Sequence, residues 1–106
     1  MSIFKKRLTV NQATNAAHTS ENAMLIDCRA KEEYTHGHVS GATNIPLDKM
    51  TEDRITRRIP DKEKFLYIIG SYTNKSEHAV KKLKKMGYKH AIFGGYMEEH
   101  HGILVK

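Results

Sequence analysis

Apolar and polar positions along this chain fall into blocks that switch between two periods. Ala23-Met24-Leu25-Ile26 is a continuous apolar run with polar residues at both ends, the pattern of a strand buried on both faces. Phe65-Leu66-Tyr67-Ile68-Ile69 is richer still in β-branched and aromatic residues and predicts a central strand. Ala91-Ile92-Phe93 predicts another, which Gly94-Gly95 should break. The blocks between carry helical spacing. A helix is expected over Asn11–His18, ended by the polar stretch Thr19–Asn22, and a second over Ala30–His36, with Gly37 closing it in a left-handed conformation. Asp48–Arg58 reads as one polar surface helix before Pro60, and Tyr96–His101 as a last helical turn.

The strongest helical signal follows Phe65–Ile69. Ala79, Val80, Leu83 and Met86 fall on one side and Lys81, Lys82, Lys84 and Lys85 on the other; Asn74 is placed to cap, Glu77 stands three residues on as in a capping box, and Gly87 supplies the stop. A short strand around Lys6–Thr9 and a brief extended piece in Gly41–Pro46, where Pro46 disfavours helical geometry at Ile45, complete the pattern. Strands alternating with helices predict an α/β fold with a mainly parallel sheet between helical layers.

Composition narrows this picture. With 106 residues, 39% hydrophobic and 28% charged, the chain fits a single domain over residues 1–106. Cys28 is the one cysteine, so no internal disulfide is available, which fits a reducing, cytoplasmic setting. Met1–Val10 resembles neither a signal peptide nor a membrane span, and no membrane partner is expected. The net charge of +6 raises the question of nucleic acid. Much of it lies in the lysine-rich helix face and Lys89, which reads as a solvated face and argues against such a partner.

The segment Gly70–Ser76, comprising Gly70, Ser71, Tyr72, Thr73, Asn74, Lys75 and Ser76, is a strand-to-helix junction. In an open α/β sheet such junctions aim several backbone N–H groups and a positive helix end at one point, so they favour a bound oxyanion or a thiolate. An ordinary connection, with Gly70 needed for its turn, is the competing reading. Ser71, Tyr72 and Thr73 bring hydroxyls but no nearby general base, since His78 lies one turn into the helix, and a serine-type hydrolase is disfavoured. His36-Gly37-His38 and His100-His101 lack the spacing of a metal motif, so neither a metal nor another cofactor is expected.

Along nearly the full length the chain resembles the rhodanese family of sulfurtransferases. The match runs through Leu25-Ile26-Asp27-Cys28-Arg29, Glu33-Tyr34, and Gly37-His38-Val39-Ser40-Gly41-Ala42-Thr43-Asn44-Ile45-Pro46, then the strand, loop and helix from Phe65 to Met86, Gly87-Tyr88 and Gly94-Gly95. The resemblance implies a three-layer fold with a mainly parallel five-stranded sheet. It also implies that the loop should open with a cysteine whose thiolate accepts a sulfane sulfur and passes on a persulfide. Counting back from Asn74-Lys75-Ser76 places Gly70 at that position, and Lys75 at the usual arginine. Glycine carries no nucleophile, and lysine exchanges a two-pronged donor for a point charge. The loop matches in length the sulfurtransferases and not the phosphatase branch; the family tryptophan after the double glycine is also missing.

Cys28 falls where relatives commonly carry a buried apolar residue, and a core role outweighs a reactive one because Asp27 beside it opposes a thiolate. By the same resemblance Asp27, Arg29 and His38 support the site through hydrogen bonds that fix the turns. The expectation is a catalytically silent module that binds an anion, a persulfide or a protein, its partners being a small sulfur-containing anion or a persulfide donor or acceptor protein. The alternative is a thiosulfate-type sulfurtransferase whose parental sequence carries cysteine at position 70.

Overall fold

The computed structural model describes residues 8–72 and 75–106. Helix α1 spans Val10–His18, strand β1 Ala23–Asp27, helix α2 Lys31–His36, strand β2 Thr43–Asn44, helix α3 Glu52–Arg58, strand β3 Phe65–Gly70, helix α4 Lys75–Lys85 and strand β4 Ala91–Tyr96. Single 3-10 turns occupy Leu47–Lys49 and Met97–Glu99. The strands form one sheet in the order β2-β1-β3-β4, every pairing parallel. Among the described residues it therefore has four strands and not the five expected. The expected Lys6–Thr9 strand lies largely outside the described residues, and Leu8 and Thr9 are not in a strand.

Both faces of the sheet are covered. On one face Ile26, Cys28, Leu66 and Ile68 pack with Ile55 of α3 and Ala79 and Leu83 of α4. On the other, Leu25 and Ile69 pack with Val10, Ala13 and Ala17 of α1, and Tyr34 of α2 rests against them. Neighbouring strand residues thus point to opposite cores, which is why these strands read as unbroken apolar runs.

Helix starts follow local capping chemistry. Thr9 and Gln12 form a capping box at α1. Thr51 accepts from the Arg54 amide and starts α3 afresh, so the expected single helix over Asp48–Arg58 is a 3-10 turn followed by a shorter helix. The expected Asn74 cap lies outside the described residues.

Three glycines behave differently from expectation. Gly37 is extended, at φ 161° and ψ 129°, because its carbonyl is held by Arg29 and the next residue, His38, pairs with Val105. The left-handed residue is Gly41, at φ 87°. Nor does Gly94-Gly95 break β4. A methyl group at Gly94 would lie 3.1 Å from Ala13 Cβ and from the Ile68 carbonyl, so this glycine lets α1 approach the strand, and the left-handed Gly95 accompanies an irregularity in register against β3 instead of ending the pairing.

Candidate functional site

Strand register builds the site. Asp27 of β1 pairs with Ile69 of β3, so the next residues, Cys28 and Gly70, emerge side by side at the carboxyl end of the sheet. A methyl group in place of the Gly70 hydrogen would lie 3.1 Å from Cys28 Sγ and 3.2 Å from Ser76 Cβ. Gly70 does not have a left-handed φ, so its constraint is space and not backbone conformation. The only thiol in the chain therefore stands beside the first position of the loop, although the loop itself carries no sulfur.

That thiol is held in its neutral form. Cys28 is 1% exposed, and burial, with Asp27 adding to it, pushes its pKa from 9.0 up to about 12; Lys75 and Arg29 act in the opposite direction without overcoming the burial. Its backbone is tied down as well, the amide donating to Ile69 and the carbonyl accepting from Leu47. Cys28 also belongs to the α3- and α4-side core, as a small apolar residue would.

A recess of about 430 Å³ opens over the sulfur, lined by Ala30, Pro46, Leu47, Asp48, Lys75 and Lys82 as well as Cys28. Lys75 and Lys82 are seven residues apart on α4 and thus share a helix face, so the spacing legible in the sequence adds Lys82 to the expected Lys75. The Tyr72 amide donates to Glu98 Oε2 at 3.3 Å, so one loop N–H already faces a carboxylate from the turn after β4. Ser76 is buried and donates to Glu77 Oε1, while Glu77 Oε2 accepts from the Tyr96 hydroxyl. Thr73 and Asn74, expected in the anion-binding loop, lie outside the described residues; His78 is exposed on α4.

The supporting residues form a bonded chain behind the site. Arg29 lies across the fully buried Asp27, its Nε and Nη2 donating to the carboxylate at 2.8–3.1 Å, and Nη2 also donates to the Gly37 carbonyl. Burial opposes the guanidinium charge, but the Asp27 hydrogen bonds and charge more than offset it and raise the Arg29 pKa. Asn44 donates to the carbonyls of Asp27 and Arg29, joining β2 to the same corner. His38 donates from Nδ1 to the Tyr34 carbonyl and stacks on the Tyr34 ring. Among the described residues, no three His, Cys, Asp or Glu side chains converge as a metal site, and no helix is long and apolar enough to cross a membrane.

Comparison with known proteins gives the family and the fold. The family model described as Rhodanese-like domain matches residues 9–98. Thiosulfate sulfurtransferase PspE of Escherichia coli is 36% identical over 74 residues, covering 70% of each protein. Adenylyltransferase and sulfurtransferase uba4 of Ogataea parapolymorpha is 40% identical over 68 residues; the match takes in 64% of this chain but only 17% of that longer protein. Among solved structures, a rhodanese with anions from E. coli superposes with a TM-score of 0.70 at 33% identity, covering 79% of this chain and 98% of the other. A rhodanese-like domain protein from Staphylococcus aureus, at 24% identity, shares the fold with a TM-score of 0.69 over 96% of this chain and 99% of its own.

Proposed function

The chain belongs to the rhodanese-like domain family, and from that premise we propose that it is a catalytically silent member whose Gly70–Ser76 loop binds a small sulfur-containing anion without forming a persulfide. One observation carries the reading. The loop opens on a residue with no side chain, and the sulfur that stands beside it is buried and protonated. A neutral thiol is a poor nucleophile, so the double-displacement route has no thiolate to begin with. Binding has support of its own: Lys75 of the loop, with Lys82, lines the recess beside Cys28, and the Tyr72 amide already donates to a carboxylate. The solved structure described as a rhodanese with anions makes thiosulfate the natural probe.

The test combines calorimetry with turnover. Thiosulfate should bind the purified chain and bind more weakly to Lys75→Gln, while transfer of sulfur from thiosulfate to cyanide stays at the level of a loop-deleted control. Transfer well above that control would overturn the proposal.

A second reading, a sulfurtransferase whose parental sequence has cysteine at position 70, is favoured by the φ of Gly70, which an L-residue can adopt. The crowding of Cys28 and Ser76 around that position weighs against it. A cysteine codon in the encoding genomic DNA would decide for this reading.

A further inference from the structure

A second recess, also about 430 Å³, lies on the other side of the β2 corner. Its apolar wall is made by Tyr34, Ile45, Pro46 and Ile55. Ile45 and Ile55 are buried side chains of the core, so this wall is fixed by packing and not by mobile surface groups. Tyr34 is held in place too, its hydroxyl donating to the Ala42 carbonyl at 2.6 Å.

Around this wall stand Lys31, Lys49, Arg54 and Arg58, and no carboxylate is among the lining residues. The cations come from three separate elements: the start of α2, the Leu47–Lys49 turn and α3. Arg54 and Arg58 are one helical turn apart and so face the same way. The contrast with Arg57 is informative, because that side chain is directed elsewhere on α3 and is paired with Asp53 at 3.0 Å. Among the described residues, none of the four lining cations makes an ion pair.

We propose that this recess binds a small amphiphilic organic anion, an apolar and preferably aromatic body bearing one carboxylate or sulfonate. The body lies on Tyr34, Ile45, Pro46 and Ile55, and the charged group meets Arg54 and Arg58, whose planar guanidinium groups match a carboxylate or sulfonate in two-pronged geometry. The volume lies in the range of small-ligand clefts, roughly 300–1,000 Å³, and the combination of an apolar lining with a few charged groups is what such clefts use for affinity and orientation. A protein partner would need a contact of about 800 Å² per side, far more than this recess offers. The site is separate from the Gly70–Ser76 loop and shares only Pro46 with the recess over Cys28.

The experiment uses 1-anilinonaphthalene-8-sulfonate as the anionic probe and N-phenyl-1-naphthylamine as its uncharged counterpart, titrated into the whole chain by fluorescence. The sulfonate should saturate at one per chain. In Arg54→Gln/Arg58→Gln it should bind at least about tenfold more weakly, while circular dichroism stays unchanged and the uncharged probe binds both proteins alike. Amide shifts in nuclear magnetic resonance should centre on residues 31–35, 44–49 and 54–58. Sulfonate affinity unchanged in the double variant, absence of saturation, or displacement by a short oligonucleotide or acidic peptide but by no small carboxylate would overturn the proposal. So would shifts centred on residues 70–76, which would instead mark the loop as the anion site; thiosulfate binding, weakened in Lys75→Gln and retained in Arg54→Gln/Arg58→Gln, reads the loop independently.

Discussion

Cys28 and Gly70 are best understood as a pair. The sequence singles out each separately, Cys28 as its one cysteine and Gly70 as the opening residue of the loop, and the parallel register that sets Asp27 against Ile69 is what makes them neighbours. Burial that holds the Cys28 thiol neutral to about pH 12 has a consequence for stability. Below pH 9 the thiol is neutral whether the chain is folded or not. Above it the unfolded chain releases the proton and the folded chain does not, so the contribution of Cys28 is lost as pH rises from 9.0 toward about 12, at up to about 1.4 kcal/mol per pH unit. Cys28→Ala lacks that slope. Its deficit in unfolding free energy at pH 8, due to the small cavity, should shrink at pH 11 when both are measured by urea titration; a constant deficit would mean that the thiol is not so strongly held neutral. A second prediction follows from the 3.1 Å separation. In a disulfide the Cβ of one residue lies about 3 Å from the sulfur of the other. Gly70→Cys should therefore cross-link to Cys28 under mild oxidation, read as loss of both free thiols, whereas Gly70→Cys/Cys28→Val should take up one sulfur atom from thiosulfate. Thiols that stay free in the single variant would contradict this placement.

Among the elements, the alternating pattern made β1, β3 and α4 legible at once, because each carries a continuous apolar run or a clear helical face. The junctions were less so. Thr9 with Gln12 is a capping signal that the sequence displays, and it places the start of α1 at Val10 instead of Asn11. Thr51 likewise signals the start of α3, but Asp48 and Lys49 before it and Glu52–Arg54 after it continue one polar pattern that hides the break. Tyr88 could not have been assigned a role from sequence: its hydroxyl crosses from the α4–β4 connection to donate to the Ile59 carbonyl just past α3. That carbonyl is buried at a helix end, where an unpartnered acceptor is costly. Tyr88→Phe should therefore lower stability by about 1–2 kcal/mol, seen as a lower urea midpoint at unchanged slope. A shift within error would show that the hydroxyl does not serve α3.

For the molecule as a whole, the alternation of strands and helices predicts a mainly parallel sheet between helical layers, and family resemblance adds that it is a rhodanese-like one. The strand count was the exception, four among the described residues against an expected five. The sheet order and register depend on contacts between residues far apart in sequence, so the sequence puts Cys28 at a strand end pointing toward the loop but gives neither its contact with Gly70 nor that of Glu98 with the Tyr72 amide. The same holds for Arg29 reaching from the end of β1 to the Gly37 carbonyl. Arg29→Ala leaves the fully buried Asp27 carboxylate without its cation, at a cost of about 3–5 kcal/mol, and urea unfolding should register that loss over the whole cooperative transition. A drop below about 1 kcal/mol would mean that the corner is held by other bonds.

On the proposed reading, the domain holds a sulfur-bearing anion and leaves the sulfur where it was. Intact-mass spectrometry of the native chain after incubation with thiosulfate tests it most directly. The mass should be unchanged; a gain of one sulfur atom, mapped to Cys28, would contradict the account.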